Sequence, residues 1–362
     1  MKTIFTFILA LLISATTFGQ NMFVHTATAG NISADATYID HPDLNNNPAA
    51  QILISHNWNP PGSGGIYNDN VTGVFYSNSQ SKWGIYNESS DAMVEGSSYN
   101  VYIGNGDVVL HIADLANQAS NPVYSVINHP NLNGNPDAQL VLTTYFTPNG
   151  LRNDHNYSVW YNDDTDRWNI FPEDLTDLPL DTAFFLGIPD GNVAVSTHHA
   201  DVGNISGNYT TIDHPLLNGD PDAVFVFTHN WGISGGTGNV IIDHTMGAWY
   251  TGSNWAIYTE DLSAMPENAE FDLMIYDPSL GLSDSTIQEF SLYPNPVNDQ
   301  LSITSKQEIS TVAIYNILGQ EITSYKGIDS NMNVDVSALS SGTYIIKVQV
   351  GDALSSKKFI KL

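Results

Sequence analysis

Apolar residues in this chain come in short runs cut by clusters of Asn, Gly, Pro and Asp, and no window sustains a 3.6-residue period. Runs such as Ile52–Ser55, Leu140–Thr143 and Val224–Thr228 have the length of strands. Aromatic runs follow each of them. Val74–Tyr76, Val159–Tyr161 and Ala248–Tyr250 form one set, and Trp83–Tyr86, Trp168–Phe171 and Trp255–Tyr258 form the next. The intervening clusters carry turn chemistry, so the pattern predicts an all-β chain in which helices are minor.

The runs recur as a set. Met22–Pro42 aligns without gaps on Val195–Pro215, with 11 of 21 residues matching, and the first histidines of the copies stand at 25, 111 and 198. Three tandem modules of about 85 residues follow, at 20–104, 105–189 and 190–277, each expected to hold five or six strands. Such a length buries one small core, so each copy forms its own sandwich or barrel, or serves as a blade of one closed threefold assembly. The connections Gly104–Asp107 and Pro189–Asn192 are short enough to press the copies together either way.

Charge and addressing narrow the setting. Lys2 and the ten-residue apolar run Ile4–Ile13 have the form of a signal peptide over 1–19, too short to span a bilayer. No other run is long and apolar enough to cross one. There is no cysteine, so disulfides and thiolate metal sites are excluded. The formal net charge is −28, and residues 20–289 hold 32 acids against three bases. That surface repels nucleic acid and anionic lipid. After a linker at 278–289, residues 290–362 carry six acids and six bases.

This last segment has its own landmarks. It opens on Leu292-Tyr293-Pro294-Asn295-Pro296-Val297 and passes through Asn316-Ile317-Leu318-Gly319-Gln320. It continues with Gly342-Thr343-Tyr344-Ile345-Ile346 and closes on Lys357-Lys358-Phe359-Ile360-Lys361-Leu362. Alternating runs there predict a small antiparallel sandwich. In order and spacing the motifs resemble the type A C-terminal sorting domain of proteins exported by the type IX secretion system. The resemblance implies sorting residues at Pro294, Asn295, Pro296, Gly319, Gly342, Lys357 and Lys358, and the secretion machinery as partner. It further implies crossing of both membranes, removal of the domain, and a final place outside the cell or on its outer surface. The repeats resemble a module of bacterial exported proteins, a likeness that brings no activity with it.

Candidate chemistry sits at repeated polar positions. Ten of the eleven histidines occupy four module positions: 25/111/198, 41/129/214, 56/229 and 155/244. Packed rings bonded to the backbone account for such placement; ligand contact, or zinc or copper bound where carboxylates converge, is the sharper reading. Asp213, Asn218, Asp220 and Asp222 place hard oxygens around Gly219, which suits calcium as a cofactor, although Asx-turns have the same composition. His56-Asn57-Trp58 and His229-Asn230-Trp231 precede Gly-rich loops and are the candidate ligand-binding residues; copy two has Thr144-Tyr145-Phe146 instead. The Trp83, Trp168 and Trp255 series reads as core. No nucleophile elbow, zinc-protease helix or phosphate loop occurs, so no catalytic residue is assigned. The expected function is multivalent binding or adhesion at the cell surface, with extracellular polysaccharide or another cell-surface ligand as the partner. A structural matrix component and a glycoside hydrolase are the alternatives.

Overall fold

The computed structural model describes residues 21–118, 121–146, 150–189, 191, 193–233, 239–277, 290–316, 321–350 and 353–362. The signal-peptide segment 1–19, the linker 278–289 and Gly319 lie outside them. Among the described residues there is no helix, and the chain divides into two compact units, Met1–Gly281 and Leu282–Leu362.

In the first unit, copy one contributes β1 (Met22–Thr26), β2 (Ile32–Ser33), β3 (Ala36–Tyr38), β4 (Ile52–Asn57), β5 (Thr72–Ser77), β6 (Lys82–Asn87) and β7 (Ser98–Ile103). Copy two contributes β8 (Val108–Ile112), β9 (Ser125–Val126), β10 (Val141–Tyr145), β11 (Tyr157–Asn162), β12 (Arg167–Pro172) and β13 (Ala183–Gly187). Copy three contributes β14 (Ala194–His199), β15 (Ile205–Ser206), β16 (Tyr209–Thr211), β17 (Phe225–Ile233), β18 (Met246–Tyr250), β19 (Trp255–Thr259) and β20 (Glu270–Ile275).

No copy forms a sheet alone. The first, central and last strands of a copy pair antiparallel, and the central strand then pairs in parallel with the hairpin of the preceding copy. One sheet therefore runs β8-β13-β10 into β5-β6-β3-β2, and a second runs β14-β20-β17 into β11-β12-β9. The third joins the ends of the array, running β1-β7-β4 into β18-β19-β16-β15. The exchange goes one to two, two to three and three to one. Separate sandwiches or barrels are not what forms; the array closes on itself.

A ring of hydrogen bonds ties the three central strands together. Ile54 N donates to Thr143 Oγ1, Leu142 N to Thr228 Oγ1, and Phe227 N to Ser55 Oγ, each at 2.9 Å. Each bond crosses from one copy to another, so these buried hydroxyls satisfy amides that the sheets leave unpaired. The side-chain ends of Leu53 and Met274 pack close on Gly187 beside them, where a Cβ would lie 2.6 Å from each and push them aside.

Each copy also has its own core around one tryptophan. Trp83, Trp168 and Trp255 are fully buried, and each indole Nε1 donates to a backbone carbonyl in the turn after the His-Pro pair, at Asn47, Asn135 and Asp220. The bond gives the one polar atom of each ring a partner, so the ring can be wholly desolvated.

The second unit is antiparallel. It comprises β21 (Ser291–Tyr293), β22 (Gln300–Asn316), β23 (Glu321–Asp335), β24 (Gly342–Val350) and β25 (Ala353–Lys361). The early part of β22 pairs with β21 and its later part with β24, while β23 follows it along both, bending at register shifts. The core holds Phe290, Val297, Leu301, Ile314, Ile346 and Phe359. Asn295 of the Pro294-Asn295-Pro296 motif accepts from Ile360 N and donates to Lys358 O, joining the first and last landmarks.

Candidate functional site

The exchanged hairpins create three equivalent seams, and the same buried glutamate sits in each. Glu88, Glu173 and Glu260 follow the Trp83, Trp168 and Trp255 strands and are almost fully buried. Glu260 bonds His56 Nδ1 and the Tyr258 hydroxyl, and accepts from Asn68 N. Glu173 bonds His229 Nδ1 and the Ser158 hydroxyl, and accepts from Ile242 N. Glu88 accepts from the Tyr86 hydroxyl and Asn153 N. Its seam has Thr144 where the others have histidine, and burial pushes the Glu88 carboxyl up to about 7.

His56 and His229 are thus buried partners of these carboxylates. Both border a cavity of about 120 Å³ that all three copies line, and each keeps its Nε2 buried without a hydrogen bond. Asn57 and Asn230 are buried as well. Asn57 donates to Asn100, and Asn230 donates to Asp272, whose carboxyl is pushed up to about 7 by burial. In copy two the corresponding pair is Tyr145 and Phe185, stacked at 4.3 Å. One polar pair is exchanged whole for an aromatic pair, which explains the different triplet there.

Trp58 and Trp231 are placed differently, half-buried at the seams. Trp58 meets Trp249 edge to face at 5.8 Å, and Trp249 meets Tyr209 at 5.3 Å. The next seam repeats this, with Trp231 and Trp160 at 6.0 Å, and Trp160 and Tyr124 at 5.4 Å. The first group lines a pocket of about 210 Å³ with Tyr67, Tyr258 and Asn208. The second lines one of about 440 Å³ with Asn121, Val123, Phe171, Leu175, Asn239 and Ile241. Neither lining includes a charged side chain.

The remaining histidines are satisfied locally. His25, His111 and His198 bond through Nε2 to the hydroxyls of Thr37, Ser125 and Thr210, and burial lowers all three to about 4. His41, His129 and His214 accept through Nδ1 from the amide two residues on. His155 and His244 pair with Asp174 and Asp261 at 2.8 Å.

In the proposed calcium turn, Asn218 donates to Asp213 and accepts from Asn254, while Asp220 accepts from Asp222 N. Among the described residues no group of three or more His, Asp or Glu is placed to hold a metal ion.

The glutamates and the seam partners of the tryptophans were not singled out in the sequence. A signal was there, since the glutamate recurs five residues after each core tryptophan in modules otherwise poor in it.

Comparison with family models matches residues 10–103, 73–184 and 158–275 to the family described as domain of unknown function DUF7452, and the chain belongs to it. Two of these matches begin on β5 and β11, the hairpin of the preceding copy, so they take in the hairpin together with the copy it completes. Residues 291–362 match the secretion system C-terminal sorting domain, which makes this a secreted or cell-surface protein addressed to the type IX machinery. Among the described residues no helix is long and apolar enough to cross a membrane.

Comparison with curated proteins returns no match. Among solved structures, PorZ, a bacterial surface component of the type IX secretion system of Porphyromonas gingivalis, is 18% identical over 25% of this chain and 14% of its own, with a TM-score of 0.19. A biofilm-associated protein BSP domain is 10% identical over 96% of this chain and 67% of its own, with a TM-score of 0.18. The four N-terminal Ig domains of Dscam1 isoform 9.44 are 9% identical over 91% and 99%, with a TM-score of 0.16.

Proposed function

We propose that this secreted surface protein binds neutral glycan through the two aromatic pockets at the seams of copy three, one with copy one and one with copy two. The observation that carries this reading is the repeated Trp–Trp–Tyr group, built twice with the same edge-to-face geometry and left half-exposed. Such faces suit the C–H faces of a pyranose, and the side chains of Asn208 and Asn121, which respectively donate to Thr259 O and accept from Val123 N, keep further hydrogen-bonding capacity for hydroxyls. Two sites on one compact unit raise avidity for a repeating polymer. No carboxylate lines either pocket, so the acid pair of a glycoside hydrolase is not available there.

The test is a neutral-polysaccharide panel with the full chain, Trp58→Ala and Trp231→Ala. Each substitution is expected to halve the sites occupied while leaving the fold intact. A wild-type chain silent on the panel, or variants that bind as wild type does, would remove the reading.

A further inference from the structure

We infer that the seam between copies one and two holds a third pocket of the same construction, plugged by the chain's own Arg152, and that a single acidic side chain decides which pocket takes a planar cation.

Phe146 stands at the module position of Trp58 and Trp231, and Phe75 stands where Trp249 and Trp160 do. Tyr86 corresponds to Tyr258 and meets Phe146 at 5.6 Å and Phe75 at 5.8 Å. Into this group projects Arg152, at the position of Tyr67 and Ile241. Its guanidinium carbon lies 5.0 Å from the Tyr86 ring centroid and 5.9 Å from that of Phe146. The guanidinium also donates to Asn87 O at 2.7 Å and bonds Asp35. Stacking plus a fork of hydrogen bonds is the way arginine is held where lysine would not serve.

Asp35 is the discriminating residue. Its counterparts are Asn208 and Val123, each lining an open pocket. The third seam thus pairs a cation with a carboxylate over aromatic faces, whereas the other two present aromatic faces without charge. Arg152 is one of only three bases in residues 20–289. The plug stands on this geometry alone. The uncharged occupant of the open pockets rests on the proposed glycan reading.

The test uses the full chain and methylguanidinium chloride, with ammonium chloride at equal concentration as the non-planar control. Arg152→Ala is expected to melt about 2–6 °C lower. Millimolar methylguanidinium should restore much of that, ammonium should not, and Arg152→Lys should fall between. Asn208→Asp places a carboxylate in the copy one–copy three pocket and should bring methylguanidinium quenching of tryptophan fluorescence, at least fivefold tighter than in wild type. An unchanged melting temperature in Arg152→Ala, or equal restoration by ammonium, overturns the plug. Equal quenching of wild type and Asn208→Asp overturns the charge rule. Both results are independent of whether any glycan binds.

Discussion

Glu260 and His56 meet in the buried seam between the last copy and the first, 204 positions apart in the chain. Their contact belongs to the seam that closes the array, and the same glutamate also holds the Tyr258 hydroxyl and the Asn68 amide. Removing the carboxylate strands three buried polar groups at once. Glu260→Ala should destabilise the first unit by about 3–5 kcal/mol. All seven tryptophans lie between residues 58 and 255, so denaturation followed by their fluorescence reports that unit. A loss below about 1 kcal/mol would mean that the seam does not depend on this contact.

Copy two reaches the same bond by different residues. Where copies one and three have Gly73 with Tyr86 and Gly247 with Tyr258, copy two has Ser158 with Phe171. The hydroxyl on the glutamate comes from tyrosine in two seams and from serine in the third. The two solutions exclude each other, because a Cβ at Gly247 would lie 2.7 Å from both Glu260 and Tyr258. Ser158→Gly should therefore cost about 1–2 kcal/mol, and adding Phe171→Tyr should recover most of it. Gly247→Ser should be tolerated only together with Tyr258→Phe. A double-mutant cycle measures the coupling, and additive losses would break the proposed equivalence.

Stability should peak near pH 6.5. His25, His111 and His198, lowered to about 4 in the fold, stay neutral there while the unfolded chain takes up protons below 6.5. Their contribution is lost as pH falls from 6.5 toward 4. Glu88 and Asp272, raised to about 7, keep protons that the unfolded chain gives up near 4, so theirs is lost as pH rises from about 4 to 7. Glu88→Gln mimics the protonated form. Its stability relative to wild type should grow by about 1–3 kcal/mol between pH 4.5 and 8. Melting curves across that range check it, and a constant difference would show that Glu88 does not titrate with folding.

Calcium should do no more for this protein than sodium at equal ionic strength. The side chains of Asn218 and Asp220 are already bonded within the turn, and self-repulsion among 32 acids is relieved by screening alone. Equal melting shifts in the two salts are expected. A larger shift with calcium, abolished by Asp220→Ala, would make the turn an ion site.

The repeat, the strands, the turns and the sorting domain were legible in the sequence because each is written in local order: runs, breaks and fixed spacing. Trp83, Trp168 and Trp255 could be assigned to the core on the same basis, and each is buried there. What local order does not carry is the partner of a strand. The copies are so alike that a hairpin such as β5–β6 would complete its own copy or the next one equally well on pattern alone. Only the assembled structure sends it to β10, and sends β18 back to β4. That choice decides the chemistry. It buries His56 and Asn57 of the candidate triplet and leaves Trp58 at a seam. It also brings Trp249 from the far end of the array to face that tryptophan, and lays Arg152 of copy two over Tyr86 of copy one. Side chains from two copies build each aromatic pocket and those of all three line the central cavity, and contacts between distant segments are set by three-dimensional packing, which neighbouring residues along the chain do not encode.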